Sequence, residues 1–204
     1  MKRSVAVKHV RELVQAAATQ CAIAERSAQP WPLQEVWVAG DLLGVDHEFE
    51  HGDVVLVFDL PAKELPWLAL HPVADWVAQL LGLAKRPIRW SYRPRDWPAW
   101  NLHDRRVVRV WRRGEESNEV QMQILGRARP DMFNLTEPSD DEVLHQLTIE
   151  LGAAHEHLRF VVDRYWDPQW RREQTGYSCD DVLWRAAGAV ADLADAVANL
   201  DGCS

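Results

Sequence analysis

The sequence predicts an α/β chain of the α+β kind: a small mixed sheet with flanking helices, followed by an antiparallel helix pair. Three observations carry this expectation. GDVVLVFDLP holds a continuous apolar run from Val54 to Phe58, bracketed by Gly52 and Pro61, the pattern of a strand covered on both faces. The opening residues repeat apolar side chains every three or four positions, as one helical face requires. The last third does so twice, in long stretches parted by a Pro- and Gly-containing break.

Taken in order, Ser4 can cap a first helix whose face is Val7, Val10, Val14, Ala17, Cys21 and Ala24. SAQPWP stops it, and LQEVWVAG reads as a short strand ending at Gly40. The Val54–Phe58 strand comes next, and its unbroken apolar character places it centrally. LHPVADWVAQLLGL puts Val73, Trp76, Val77, Leu80 and Leu81 on one stripe, with Gly82 as terminator. PIRWSYR reads as a third strand. VVRVWRR and EVQMQIL alternate on either side of Gly114-Glu115-Glu116-Ser117, which predicts a β-hairpin. Ser139-Asp140-Asp141-Glu142 has capping-box spacing and opens a helix with the seam Leu144, Leu147, Leu151, Ala154, Leu158, Val161 and Tyr165. Beyond Pro168 and Gly176, Ser178 to Asp181 offers another cap before the seam Leu183, Ala186, Val190, Leu193, Val197 and Leu200. Matching seams suit an antiparallel pair packed together, on the core, on a protein partner or on a second copy of the chain. The expected division is residues 1–138 as the α/β core with a basic hairpin, and residues 139–204 as the helical pair.

The totals fit an ordinary folded chain of 204 residues, 47% hydrophobic and 26% charged. Charged Lys8, Arg11 and Glu12 interrupt the start, and LPWLALHPVADWVAQLLGLA is broken by His71, Pro72, Asp75 and Gln79. A cytoplasmic protein without a membrane span is therefore expected. Cys21, Cys179 and Cys203 have no metal-knuckle spacing and form neither an even set nor a disulfide framework. The net charge of −8 is unevenly spread. Residues 85–129 carry 12 Lys/Arg against 5 Asp/Glu, while both flanks are acidic. This Lys85–Arg129 island also holds Trp90, Tyr92, Trp97, Trp100 and Trp111, and interleaved cations and aromatics can bind nucleotides or nucleic acid. The same pattern fits a strand with one apolar face and arginines neutralised by acidic neighbours in the molecule. An overall acidic chain favours the latter.

The order helix, strand ending in Gly, loop, strand opening with Asp, helix, strand resembles the nucleotidyltransferase superfamily over residues 1–95, most specifically at VWVAGDLLGVDHEFEHGDVVLVFDL. In that family a strand ends in Gly-Ser or Gly-Gly, and a later strand carries Asp-x-Asp. Two carboxylates on one strand face, with a third on a neighbouring strand, hold two Mg²⁺ ions. Gly40 matches the turn glycine, Gly44 a later loop glycine, and Asp53 the first carboxylate. Asp41 replaces the small hydroxyl residue, Val55 occupies the second carboxylate position, and PIRWSYR supplies no acid. The resemblance thus implies a nucleotidyltransferase-like binding or regulatory module without catalysis or cofactor, with Gly40, Gly44, Arg89, Arg93, Trp97 and Trp100 as ligand-binding candidates. The alternative is an active enzyme using Mg²⁺ or Mn²⁺ and rearranged acids, with Asp41, Asp53 and Asp59 as catalytic candidates.

Two other clusters suggest metal chemistry. His47, His51 and Asp53 lie in a stretch rich in imidazole and carboxylate, a set suited to Zn²⁺ or Mn²⁺, and the two histidines would share a face if that stretch were helical. His145, His155, His157 and Asp163 fall on the penultimate long helix, off or beside its apolar seam, which favours solvated histidines. No GxSxG elbow or P-loop is present. Of the 11 tryptophans, Trp97, Trp100, Trp166 and Trp170 sit in Pro- and Arg-containing stretches and would mark a binding surface if exposed.

Overall fold

The computed structural model describes residues 1–128, 132–133, 137–174 and 176–201. Arg129, at the end of the basic island, and Cys203 lie outside them. Two compact units emerge: Met1–Leu60 with Pro72–Glu137, and Pro61–His71 with Pro138–Ser204.

The first unit begins with helix α1, Arg3–Arg26, which buries Ala6, Val7, Val10, Val14, Ala17 and Cys21. Ser4 does not cap it. The N-cap is Lys2, with no side-chain cap bond, so Ser4 lies inside the first turn. Strand β1, Leu33–Ala39, leads through a 3₁₀ turn, Gly40–Leu43, to β2, Gly52–Phe58. Helix α2, Pro72–Leu80, strand β3, Ile88–Pro94, and strand β4, Val107–Arg112, follow. The sheet order is β3-β2-β1-β4, with β1 antiparallel to β2 and β4, and β3 parallel to β2. As its apolar run predicts, β2 is interior and every residue of it is buried.

Beyond the Ser4 cap, two local expectations differ from the structure, and one condition is not met. EVQMQIL is a helix, α3, Glu119–Gly126, so VVRVWRR and EVQMQIL form no hairpin and the basic segment has only one strand there. Its Glu, Gln, Met and Leu are good helix formers, and Asn118 caps it by accepting a hydrogen bond from Gln121 N at 3.1 Å. Alternation of Val120, Met122 and Ile124 imitated a strand, but Met122 and Leu125, three apart, are the side chains most completely buried. In α2 the buried residues are Ala74, Val77 and Ala78, while Val73, Trp76 and Leu80 are exposed. Small alanines let the helix sit close, which rotates the larger side chains outward. Gly82 does end this segment in the left-handed region, at φ +66°. Finally, residues 46–51 form no helix, so His47 and His51 share no helical face.

The second unit contains α4, Asp140–Arg164, α5, Pro168–Glu173, and α6, Cys179–Asp201. The Ser139 capping box forms: Glu142 N donates to Ser139 Oγ at 3.3 Å, and Ser139 N donates to Glu142 Oε2 at 2.8 Å. Those bonds hold the Glu142 carboxyl below its ordinary value. Ser178 Oγ accepts from Asp180 N at 3.2 Å at the start of α6. Asp167 caps the short α5, with Pro168 in its first turn, a start signal in the sequence that the break at Pro168 concealed. Val161 near the end of α4 packs with Trp170, Val182 and Ala186, so the end of α4 meets the start of α6, as in an antiparallel pair. Of the expected seams, Leu147, Ala154 and Val161 on α4 and Ala186 and Leu193 on α6 are buried, while Val143 and Glu150 are buried rather than Leu144 and Leu151, and Val182 and Ala189 rather than Leu183 and Val190. Residues 61–71 join the pair: Trp67 Nε1 donates to Asp192 Oδ2 at 3.2 Å, and Leu68 lies against Gly188. Among the described residues, no helix is long and apolar enough to cross a membrane.

Candidate functional site

Register assigns the polar side chains of the sheet to one face. Directly paired residues point the same way, so Val107, Ala39, Asp53 and Arg89 form one row across the strands. Arg109, Trp37, Val55 and Ser91 form the next, and Arg112, Glu35, Val57 and Arg93 the third. The opposite face carries Val36, Val38, Val54, Leu56 and Val108, and Tyr92 there donates to Asp75 on α2 at 2.6 Å.

β3 and β4 occupy opposite edges, so residues 95–106 must cross the sheet, and they do so over the polar face. At one end Arg93, almost wholly buried, donates from Nε to Pro98 O at 3.0 Å and lies 5.2 Å from the Trp97 ring centre. At the other, Asn101, buried, accepts from His103 N at 2.8 Å and Asp104 N at 3.0 Å. This turn brings Asp104 close enough to Asp53 for their charges to repel. Burial and that repulsion push the Asp104 carboxyl above its ordinary value, against the smaller stabilising effects of Arg89, His103 and Asn101.

Asp53 is the centre of the cluster. It is 6% exposed, and Arg89 Nε donates to its Oδ1 at 2.6 Å. His51 Nδ1 lies 3.5 Å from the same oxygen. Gly40, at φ +64°, gives room for this carboxylate: a Cβ built there would sit 2.5 Å from Asp53 Oδ2. Gly40 and Asp53 are therefore neighbours.

The other candidates scatter. Asp41 is exposed, and its carbonyl accepts from Gly44 N at 2.9 Å. Asp59 lies just past the far end of β2, paired with Arg95 at 3.3 Å. His47 is exposed and offers its carbonyl to Arg3 N at 2.8 Å. Gly44 contributes its carbonyl oxygen to Arg3 Nη2 at 2.9 Å. Trp97 and Trp100 are half-buried, Trp170 is buried, and Trp166 is exposed. On α4, His145 and His155 are exposed, while burial pushes the half-buried His157 below its ordinary value. Among the described residues, no group of three or more His, Cys, Asp or Glu is placed to hold a metal, so neither His47, His51 and Asp53 nor the α4 histidines assemble one.

Arg3 is the residue that sequence reasoning missed. It is buried, and all its N–H groups go to backbone carbonyls: those of Leu42 at 2.7 Å, Leu125 at 3.0 Å, Gly44 at 2.9 Å, and Asp46 at 2.8 and 2.6 Å. Its guanidinium also lies 5.1 Å from the Phe49 ring centre. Thus the loop between Gly40 and Asp53 is organised from outside itself. A charged residue at the start of an amphipathic helix gives no sign of such a role.

The basic segment is largely neutralised within the chain. Arg86 pairs with Glu12, Arg109 and Arg112 with Glu35, Arg113 with Glu25, and Arg106 with Glu137.

The raised Asp104 value has a testable consequence. Between the ordinary and the raised value the folded state binds more protons than the unfolded one, so stability falls as pH rises through that window. Asp104→Asn is expected to be more stable than the parent at neutral pH, with the difference growing from about pH 4 upward. Melting temperatures of the two proteins across pH check this; a difference independent of pH would contradict it.

No curated protein and no solved structure matches the chain. Residues 1–199 match the family described as "Domain of unknown function (DUF7711)", a span that takes in both units, and the chain belongs to that family.

Proposed function

We propose that the protein is a non-catalytic binding or regulatory module on a nucleotidyltransferase-like core. The observation that carries this is the Arg89 guanidinium 2.6 Å from Asp53. It supplies from the neighbouring strand the positive charge that Mg²⁺ would bring to that carboxylate, and it repels any further cation. Val55, buried on the same strand face, offers no oxygen ligand. A second reading, an active enzyme with rearranged acids, draws support from Asp104, which approaches Asp53 from a loop distant in sequence. The ion pairs across the basic segment weigh against nucleic-acid binding there. A protein partner or second copy docking through the C-terminal helices would have to use faces other than their buried seams.

Incubation with each labelled nucleoside triphosphate, Mg²⁺ or Mn²⁺, and candidate acceptors is expected to give no transfer. Metal titration is likewise expected to leave the melting temperature unmoved. Turnover that disappears in Asp53→Asn would establish the enzyme reading instead.

A further inference from the structure

We propose that Arg89 anchors a metal-independent oxyanion site at this end of the sheet, taking a carboxylate or phosphate group of a small ligand end-on through its terminal nitrogens. The inference rests on the non-catalytic reading of Asp53 and names the ligand chemistry that such a module would recognise.

The geometry is that of an arginine held by its inner edge. Asp53, buried and fixed beside Gly40, takes Nε, which is one of the five N–H donors of the guanidinium. Among the described residues the side chain's one hydrogen bond is the one from Nε, and the side chain is 62% exposed. A guanidinium so pinned has already lost much of its rotamer freedom, and its remaining planar fork matches two oxygens of a carboxylate or phosphate. Arg86, Arg95 and Arg109 meet their acids through a terminal nitrogen, whereas the acid at Arg89 occupies the inner edge, as it does at Arg106, Arg112 and Arg113, and of these four acids only Asp53 is buried.

Other charged groups tune the site. Asp53 is compensated by Arg89 itself. Asp104 opposes an incoming anion, while the imidazoles of His51 and His103 flank the two carboxylates and oppose them when protonated. Removing the Asp104 charge therefore strengthens binding, whereas a site for a cation would be weakened by the same change.

The test is titration of the full chain with inorganic phosphate and, separately, acetate, both with EDTA present, following the backbone amide resonances of His51, Asp53 and residue 89, which parent and variants share. A saturable shift is expected, tighter for the probe whose chemistry the ligand shares. Arg89→Gln should weaken binding roughly tenfold or more, Arg89→Lys should weaken it because the fork is lost, and Asp104→Asn should tighten it. Arg95→Gln, which alters a surface pair at the far end of β2, should leave it unchanged. Unsaturable titration of the parent by both probes, equal binding by Arg89→Gln, or binding that appears only after Mg²⁺ is added would overturn the proposal. Nucleotide transfer would sink the non-catalytic reading while leaving metal-free anion binding intact; failure of anion binding without transfer would sink only the site.

Discussion

Replacing Arg3 by alanine is expected to lower stability by about 3–5 kcal/mol and the melting temperature by on the order of 10 °C. The side chain makes five hydrogen bonds to the carbonyls of Leu42, Gly44, Asp46 and Leu125, all from a charged donor. Each such bond contributes about 1.5–3 kcal/mol taken singly, but the five share one side chain and do not add. Burial pushes the Arg3 pKa down, with the Asp46 charge partly opposing, so the guanidinium bears a desolvation cost that these carbonyls help to offset. Truncation leaves several carbonyls without a donor in a buried site. Hydrogen exchange should accelerate across residues 42–49, because that loop loses the group that gathers its carbonyls. Arg3→Lys should recover only part of the loss, since an ammonium has three donors and no planar fork. Denaturant and thermal unfolding check the magnitude; a change below about 1 kcal/mol would show that the loop holds its shape without Arg3.

Gly40→Ala is expected to cost about 2–4 kcal/mol, from two separable causes. The first is the backbone, at φ +64°, where an alanine bears roughly 1–2 kcal/mol of strain. The second is the Cβ itself, which would stand 2.5 Å from Asp53 Oδ2 and 3.2 Å from its Cγ. Asp53 cannot retreat freely, because Arg89 holds it at 2.6 Å and the residue is buried. A double-mutant cycle with Asp53→Ala separates the two. In that background Gly40→Ala should cost only the backbone part, giving a coupling of about 1–2 kcal/mol. Strict additivity would mean that Gly40 serves the turn alone.

Legibility of the fold followed the range of each signal. The run Val54–Phe58 identified β2 as interior because continuous apolarity states that both faces are covered. Ser139 to Glu142 named the start of α4, since a capping box is closed within four residues. EVQMQIL misled because a short stretch satisfies period two and period three-to-four at once, and the decision rests with Asn118 and the burial of Met122 and Leu125. The α2 stripe misled for a related cause: spacing tells which residues share a face but not which of two adjacent faces turns inward. At the site, Gly40 and Asp53 are paired only through the family resemblance. Asp104 and Arg3 could not be placed, because each reaches its partners through contacts dozens of residues away.

The amino-acid order alone fixed which stretches are helix or strand at most positions, the caps that begin α4 and α6, and the scarcity of acids on the strands beside Asp53. Tertiary structure decided the strand order β3-β2-β1-β4, and with it everything that converges on Asp53. With β3 and β4 at opposite edges, residues 95–106 have to cross the sheet, and their passage over the polar face sets Asp104 beside a buried aspartate already held by Arg89. The division has a physical cause: side-chain periodicity and capping act within a few residues, whereas strand neighbours are chosen by the total burial of the assembled sheet.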